Sequence, residues 1–515
     1  MTAISTYEYC IVGAGPGGLQ LAYYLQKKGF DYVVLEASGA PGAFFSRFPR
    51  HRRLISINKT HTGIDDPDTN LRWDWNSLLC DDPELRFTRL TPEYFPSADV
   101  MVAYLQQFAE KFQLNVRYGW KVETIERDGD GFVVNSAAGT IRAAKLIVAT
   151  GRIPRPLPDI PGIEHAETYA DMPTDPQQFA GQRVLILGKG NSAMETAENL
   201  METAAVIHLL SPSPVRLAWR THYVGDVRAV NNNVLDTYQL KSQNTILDAT
   251  LERIDRLNCG AFRAQFLYTH AEGERRAVTV DRILACIGFM WDPTVFAQMD
   301  EPPRASPCGR FPALTSAFES VNVKGLYFAG ALQHVLDYRK SFSGFIHGFR
   351  YNAALLADIL DRRAGGAVPA PQSLPNSWDG VLDAAMERVN TASSLFQQPG
   401  FLADIFAPGP NGDCLHYRDL TVDLFEDEVF APGKPYLAVT MEYGDVGAHA
   451  DPFNIHRFPT DGRRSAFIHP VMRLRRDGEI VAEHHIPEDL ENQWRLPEQL
   501  DQAREFLGGL DAWRT

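Results

Sequence analysis

The fold is decided by residues 5–36, STYEYCIVGAGPGGLQLAYYLQKKGFDYVVLE, at the start of the chain. The apolar run Tyr9–Val12 predicts a buried strand, and the apolar spacing of Leu19–Lys28 predicts a helix that ends at Gly29. A second short apolar run follows at 31–35. Strand, glycine-rich loop, helix and strand in this order predict a parallel βαβ unit.

The loop between strand and helix, Gly13–Gly18, has G-x-G-x-x-G spacing. Gly13 permits a tight turn, Gly15 lets the backbone approach a diphosphate, and Gly18 allows the helix to pack closely on the strand. Glu36 ends the next strand, where a carboxylate accepts hydrogen bonds from a ribose. This context favours a dinucleotide site over the alternative, an ordinary glycine turn.

A second unit of the same kind occupies residues 184–211. Its loop, GKGNSA at 188–193, has Ala193 in place of the third glycine, which is a tolerated variant. Its second strand ends at Ser211 instead of an acid, and Arg216 follows. A hydroxyl and a guanidinium suit the 2′-phosphate of NADPH better than the ribose of NADH. The alternative is that Arg216 is a solvated surface arginine.

Two dinucleotide sites in one chain predict a flavoprotein that a pyridine nucleotide reduces. We assign FAD to the first site and NADPH to the second, with a hydride passing between them. Other short apolar runs end in a glycine, as strands do where a parallel sheet faces its ligand. The predicted FAD-binding residues are Gly13, Gly15, Gly17, Gly18, Glu36, Arg47, Val122, Thr150, Gly151, Gly330 and Arg339. The predicted NADPH-binding residues are Gly188, Gly190, Asn191, Ser192, Ala193, Ser211 and Arg216.

The predicted fold is α/β, with two nested Rossmann-like three-layer domains and a C-terminal α+β extension. An FAD-binding domain split into 1–165 and 282–364 encloses an inserted NADPH-binding domain, 166–281. The Gly-, Pro- and Ala-rich stretch Gly365–Pro375 is typical of a linker. The extension, 376–515, either covers a substrate cleft or forms a homodimer contact.

Composition excludes several classes of protein. The 515 residues are 44% hydrophobic and 22% charged, with a net charge of −14, so we expect no nucleic-acid partner. We expect no membrane partner either, because the apolar runs fall far short of the roughly 18 residues of a membrane span. The chain opens without a signal-peptide pattern and its six cysteines form no C-x-x-C pair. A cytoplasmic location is therefore expected, a redox-active dithiol is disfavoured, and no metal site is predicted.

Several stretches resemble the single-component (class B) flavin monooxygenases and, more closely, the FAD-dependent oxidoreductase domain-containing protein 2 group. The broader likeness rests on both glycine loops, Ala149-Thr150-Gly151 and Tyr94–Ser97. The closer one rests on PRHRRLISINK (49–59), DWNSLL (74–79), LILGKGNSAMETAEN (185–199), THYVGDVRAVNNNVLDTYQLKS (221–242) and DYRKSFSGFIHGFRY (337–351). It covers nearly the whole chain and is more specific for the fold than for the reaction.

The resemblance implies roles for individual residues. Asn58 stands where these monooxygenases place an asparagine beside the reactive edge of the flavin, and its alternative is a turn cap. Ser343 precedes a helix whose N-terminus would point at the flavin pyrimidine, so we add it to the FAD-binding set; a plain N-cap is a compatible alternative. Lys59, His222 and Asp337 complete the predicted catalytic set. His222 lies in a segment expected to reach the cleft between the two domains.

One departure from the monooxygenase pattern bears on the reaction. Of the motif F-x-G-x-x-x-H-x-x-x-[FWY], the chain keeps His165 and Tyr169 but has Asp159 and Pro161 at the first two positions. The motif is tied to NADP⁺ that stays bound to protect an oxygen adduct. Its incomplete form favours an oxidase or reductase.

The leading hypothesis is an NADPH-dependent FAD monooxygenase that forms a flavin C4a-hydroperoxide from O₂. A small polar nucleophile takes one oxygen, and N-hydroxylation of an amine or amino acid is the expected reaction. The alternatives are an NADPH-dependent flavin oxidase or reductase, which releases peroxide or passes electrons to a partner, and a largely structural flavoprotein interaction module.

Overall fold

The computed structural model describes residues 4–366, 371–429, 433–444, 457–458 and 460–510. The strands are β1 (Ser5–Val12), β2 (Tyr32–Glu36), β3 (Val116–Tyr118), β4 (Val122–Asp128), β5 (Gly131–Ser136), β6 (Gly139–Val148), β7 (Ile153–Pro154), β8 (Glu167–Thr168), β9 (Arg183–Leu187), β10 (Val206–Ser211), β11 (Thr245–Arg256), β12 (Phe262–Tyr268), β13 (Arg275–Val280), β14 (Arg282–Ala285), β15 (Phe289–Met290), β16 (Leu326–Phe328), β17 (Gln372–Leu374), β18 (Ala403–Pro408), β19 (Cys414–Leu420), β20 (Tyr436–Tyr443), β21 (Ile468–Arg476) and β22 (Glu479–His485). The α-helices are α1 (Pro16–Lys27), α2 (Ala43–Arg47), α3 (Pro67–Asn70), α4 (Ala98–Lys111), α5 (Asn191–Leu200), α6 (Ala218–Thr221), α7 (Asn233–Gln239), α8 (Ile346–Arg363), α9 (Trp378–Thr391), α10 (Ser393–Gln397), α11 (Val422–Leu424) and α12 (Pro497–Gly508).

The first sheet has the order β3-β2-β1-β6-β5-β4, with β16 also paired to β6. Strands β3, β2, β1, β6 and β16 run parallel, and β4–β6 form an antiparallel meander. Val12 lies opposite Leu35 on one side and Val148 on the other, so the ends of three strands meet at the first glycine loop. The predicted α/β fold with parallel sheets is confirmed.

The second sheet has the order β13-β12-β11-β10-β9-β14-β8 and repeats this plan, with β11–β13 as its meander. β14, Arg282–Ala285, pairs in parallel with β9. The predicted boundary at residue 282 is therefore wrong, because this strand lies in the inserted domain. A short buried apolar run looks the same in either sheet, and only pairing assigns it. The chain crosses between domains through the two-stranded ribbon of β7 and β15.

The third sheet, β17-β19-β18-β20-β21-β22, is antiparallel throughout and belongs to the C-terminal extension. The predicted linker Gly365–Pro375 contributes β17 to this sheet, and its residues 367–370 lie outside the described part of the chain.

The extension shares a hydrophobic core with α1, α4 and α8. The buried Arg72 side chain donates to the Val389 carbonyl at 2.8 Å and to the Ala392 carbonyl at 3.2 Å, which ties the two parts together. No helix in the described ranges is both long and apolar enough to cross a membrane.

Candidate active site

The first glycine loop is closed on one side and open on the other. Gly13 has φ +107°, and a Cβ there would lie 2.7 Å from the Ala149 carbonyl oxygen. A Cβ at Gly18 would overlap the Gly13 carbonyl oxygen, whereas a Cβ at Gly15 would meet nothing within 4 Å. The unpaired N–H groups that begin α1 therefore face free space, and this arrangement suits a diphosphate.

The second loop repeats this geometry. Gly188 has φ +125°, and a Cβ there would overlap the Cys286 carbonyl oxygen. A Cβ at Gly190 would have no described atom within 4 Å. Ser192 and the buried Ala193 lie in the first turn of α5, so the chain presents a second helix N-terminus to an anion.

The side chains around the second loop hold one another. Asn191 Nδ2 donates to the Asp226 carbonyl at 2.8 Å and Oδ1 accepts from Arg228 N at 2.9 Å, so this amide binds the protein's own backbone. Arg216 Nε donates to Asp226 Oδ2 at 3.1 Å, and its terminal nitrogens have no hydrogen-bond partner among the described residues. Ser211 Oγ donates to a carbonyl two residues further on, at 3.1 Å. Arg216 is thus anchored near the end of β10 with two nitrogens available to an anion.

Glu36 is buried at the end of β2. Its Oε2 accepts from Ala14 N at 2.8 Å, and Oε1 accepts from the Ser38 backbone and hydroxyl at 2.9 and 2.8 Å. These bonds hold the carboxylate beside the first loop, where it can accept from a ribose. Val122 is buried at the start of β4, and Thr150 is exposed at the end of β6.

The end of β16 approaches α1 closely, because a Cβ at Gly17 would lie 2.5 Å from Gly330 Cα. A 3₁₀-helix, Gly330–Val335, follows, and its Gln333 is fully buried with no hydrogen-bond partner for either amide atom among the described residues. His347, in the first turn of α8, is buried in the same way with both ring nitrogens unpaired. Burial and two nearby arginines hold the pKa of His347 well below its usual value. Buried polar groups normally have partners, so these two fit a bound flavin with polar edges.

Ser343 does not cap α8. The helix begins at Ile346 with Phe345 as its N-cap, and no side chain in the described part of the chain caps it. Ser343 Oγ instead accepts from Asn352 Nδ2 at 2.8 Å and from Gln398 Nε2 at 3.1 Å. The N-cap alternative is therefore wrong, because the hydroxyl is used to join α8 to the C-terminal extension.

A buried chain of hydrogen bonds links the two nucleotide domains. Asp337 Oδ1 lies 2.8 Å from His334 Nδ1, and His334 Nε2 lies 2.7 Å from the Tyr223 hydroxyl. Asp337 Oδ2 also accepts from Ser343 N at 2.9 Å. The exposed fractions are 8% for Tyr223, 0% for His334 and 2% for Asp337. Asp337, predicted to be catalytic, thus contacts the His334 ring and lies at one end of this chain, and burial raises the pKa of Tyr223 at the other end.

Asn58 and Lys59 differ sharply in surroundings. Asn58 is 1% exposed, and its Nδ2 donates to the Thr91 and Glu93 carbonyls at 2.8 and 3.2 Å. Only Oδ1 has no partner among the described residues. Because Nδ2 binds carbonyls more than 30 residues away, the amide joins two distant segments and does not act as the turn cap that was the alternative. Lys59 is exposed and borders a cavity of about 690 Å³, which Asp65 and Arg86 also line.

His222 has φ +56°, and its ring stacks on Tyr443 of the C-terminal sheet with centroids 4.5 Å apart. Burial lowers the pKa of His222. Arg47 is exposed and pairs with Asp171 of the inserted domain at 3.0 Å, so it bridges domains. Arg339 is exposed beside Tyr338.

Of the three residues in the Asp337–His334–Tyr223 chain, the predicted catalytic set contains Asp337 alone. The three-residue spacing of His334 and Asp337 is a visible signal for their pair. Tyr223 lies 111 residues before His334 and on another domain, so no local pattern predicts that contact.

Comparison with known proteins places this site in a family. Residues 10–330 match the family model described as pyridine nucleotide-disulphide oxidoreductase. The mouse FAD-dependent oxidoreductase domain-containing protein 2 is 37% identical, over 95% of this chain and 82% of its own length. A flavin-containing monooxygenase from Stenotrophomonas maltophilia superposes with a TM-score of 0.54 at 20% identity, covering 70% of this chain and all of its own. An ornithine N-hydroxylase from Kutzneria sp. 744 superposes with a TM-score of 0.52 at 16% identity and the same coverage.

Proposed function

Because the chain belongs to the pyridine nucleotide-disulphide oxidoreductase family and is a homologue of FAD-dependent oxidoreductase domain-containing protein 2, we propose that it is an NADPH-dependent FAD monooxygenase. Membership makes it a flavin-dependent pyridine nucleotide oxidoreductase related to flavin monooxygenases. The proposal adds NADPH as the coenzyme, O₂ as the electron acceptor and N-hydroxylation of a small amine or amino acid as the reaction.

The observation that carries the proposal is two open nucleotide loops in a chain without a dithiol. All six cysteines are free. Three of them, Cys10, Cys286 and Cys414, are buried, and burial raises each thiol pKa to about 12. Disulfide exchange of the dithiol kind needs an accessible thiolate with a second cysteine beside it. The three buried thiols are not accessible, and the exposed Cys259 and Cys308 belong to no C-x-x-C pair. O₂ can accept electrons from a reduced flavin without a redox-active group on the protein.

Each part of the site has a task in this proposal. When bound, FAD supplies two-electron transfer from NADPH and reactivity toward O₂. The N-termini of α1 and α5 hold the two diphosphates, and Glu36 accepts from the ribose of FAD. Ser211 and Arg216 bind the 2′-phosphate of NADPH. The Tyr223 hydroxyl holds or moves a proton through His334, which Asp337 orients.

The substrate class is proposed from the cavity beside Lys59. Its lining carries both signs of charge, with Lys59 and Arg86 opposite in sign to Asp65. A lining of this kind suits a polar amine or amino acid better than an apolar ketone, since charged groups lose solvation when they face apolar surface.

The test is anaerobic reduction of the purified yellow protein by NADPH, followed by rapid mixing with O₂. We expect full reduction, and then an absorbing species that precedes the return of oxidised flavin. When an amine that is a substrate is added, oxidation of NADPH should yield hydroxylated amine instead of hydrogen peroxide. Stoichiometric peroxide with every amine tested would contradict the monooxygenase.

A second candidate, an NADPH oxidase or reductase, is favoured by the surroundings of Asn58. Its amide nitrogen is occupied by two carbonyls, so no amide donor is free there to stabilise an oxygen adduct. Direct reoxidation to flavin and peroxide, at a rate that amines do not change, is the result expected for this candidate.

A further inference from the structure

A carboxylate lies beside the predicted 2′-phosphate position, on the strand next to Ser211. Ser211 at the end of β10 is in register with Asp248 of β11. Neighbouring strands lie roughly 4.8 Å apart, so the two residues lie side by side at one edge of the sheet. The Asp248 side chain is 30% exposed, so its carboxylate can interact with a ligand bound at that edge of the sheet.

A carboxylate at this edge works against NADPH. An acid at the end of the second strand accepts a hydrogen bond from the 2′-hydroxyl of NADH, whereas it repels a 2′-phosphate. An unpaired Asp248 would therefore oppose the preference that Ser211 and Arg216 confer.

Lys189 removes this conflict. It is the second residue of the GKGNSA loop, and its Nζ forms an ion pair with Asp248 and donates to the Leu247 carbonyl at 3.2 Å. The loop follows β9 and Asp248 lies on β11, so the side chain reaches past the end of β10, which lies between these strands. The Lys189 side chain is only 3% exposed, which prevents it from turning away into solvent.

We propose that Lys189 determines coenzyme specificity by neutralising Asp248, so that the second site accepts a phosphorylated ribose. The inference rests on the proposed function, because it assumes that the site binds NADPH. Lys189 and Asp248 then form one ion pair and Arg216 forms another with Asp226, so neither carboxylate is left unpaired beside the ribose position. The terminal nitrogens of Arg216 remain available to the phosphate.

The test uses the FAD-loaded protein and two probe pairs: NADP⁺ against NAD⁺, and 2′,5′-ADP against 5′-AMP. Titration calorimetry measures both affinities in each pair without turnover. The ratio of interest is the affinity for the probe with a 2′-phosphate divided by the affinity for the probe without it. For Lys189→Met we expect the ratio to fall at least tenfold, mainly through weaker binding of the phosphorylated probe. Asp248→Asn should keep or raise the ratio, and the double variant Lys189→Met/Asp248→Asn should recover most of the loss.

The outcomes separate this inference from the proposed function. A wild-type ratio near one would overturn the NADPH assignment and the inference with it. A wild-type preference that Lys189→Met retains would overturn the inference alone. An equal loss of both probes, not recovered in the double variant, would also overturn it, since Lys189 would then only support the loop. If Lys189→Met fails to retain FAD, the test rests on Asp248→Asn. A lower affinity ratio for the phosphorylated probe in Asp248→Asn than in the wild type would then contradict the inference.

Discussion

Gly15→Ala is expected to leave the fold intact and to weaken FAD binding. The Gly15 backbone has φ −73° and ψ 178°, a conformation open to any residue, and a Cβ there meets no atom within 4 Å. The change in unfolding free energy should therefore stay below about 1 kcal/mol, the usual difference between Gly and Ala at a helix N-cap. The new methyl group fills the space that the diphosphate needs.

Loss of one charge-assisted hydrogen bond costs about 1.5–3 kcal/mol, so the Kd for FAD should rise roughly 10- to 150-fold. The assay is titration of flavin-stripped protein with FAD by fluorescence quenching, alongside urea unfolding. Gly18→Ala is the matched control, since its Cβ would overlap the Gly13 carbonyl oxygen. It should lower the unfolding free energy by about 1–3 kcal/mol through overpacking. Wild-type FAD affinity in Gly15→Ala would refute the diphosphate position.

Three further predictions concern the second domain and its contacts. Gly190→Ala should keep FAD and its spectrum but raise the Kd for NADP⁺ roughly 10- to 150-fold by the same reasoning; an unchanged titration would contradict this. Tyr223→Phe leaves His334 Nε2 buried without a partner, so the unfolding free energy should fall by about 1–3 kcal/mol. The pH profile of flavin reoxidation should also shift. A loss of stability with an unchanged pH profile would show that this hydrogen bond is purely structural. Burial raises the pKa of Glu195, which is bonded to Tyr169, to about 7, so the folded state holds a proton that the unfolded state releases. The contribution of Glu195 to the unfolding free energy is fully present below the pKa of the unfolded state, and it is lost as the pH rises through about 7, the pKa of the folded state. As the pH rises from 5 to 8, the unfolding free energy of Glu195→Gln should therefore increase relative to that of the wild type, by up to about 3 kcal/mol as measured by urea unfolding. The same difference between variant and wild type at pH 5 and at pH 8 would contradict this prediction.

The sequence predicted the elements whose causes are local. Both glycine loops, the parallel strands beside them and the acid at Glu36 follow from residue spacing within about 30 residues, because a βαβ unit is that short. The same local reasoning misassigned Arg282–Ala285, since the sheet that a buried strand joins depends on its neighbours. It also could not foresee that Asn58 would donate to carbonyls more than 30 residues away.

The sequence by itself therefore determined two nucleotide-binding units, their order and the chemistry of their loops, because backbone conformation and glycine sterics act between neighbours along the chain. Tertiary structure alone decided which side chains meet. It brought Tyr223 to His334, Lys189 to Asp248 and Gln398 to Ser343. Such contacts depend on how domains pack, and burial then makes each of them costly to leave unpaired.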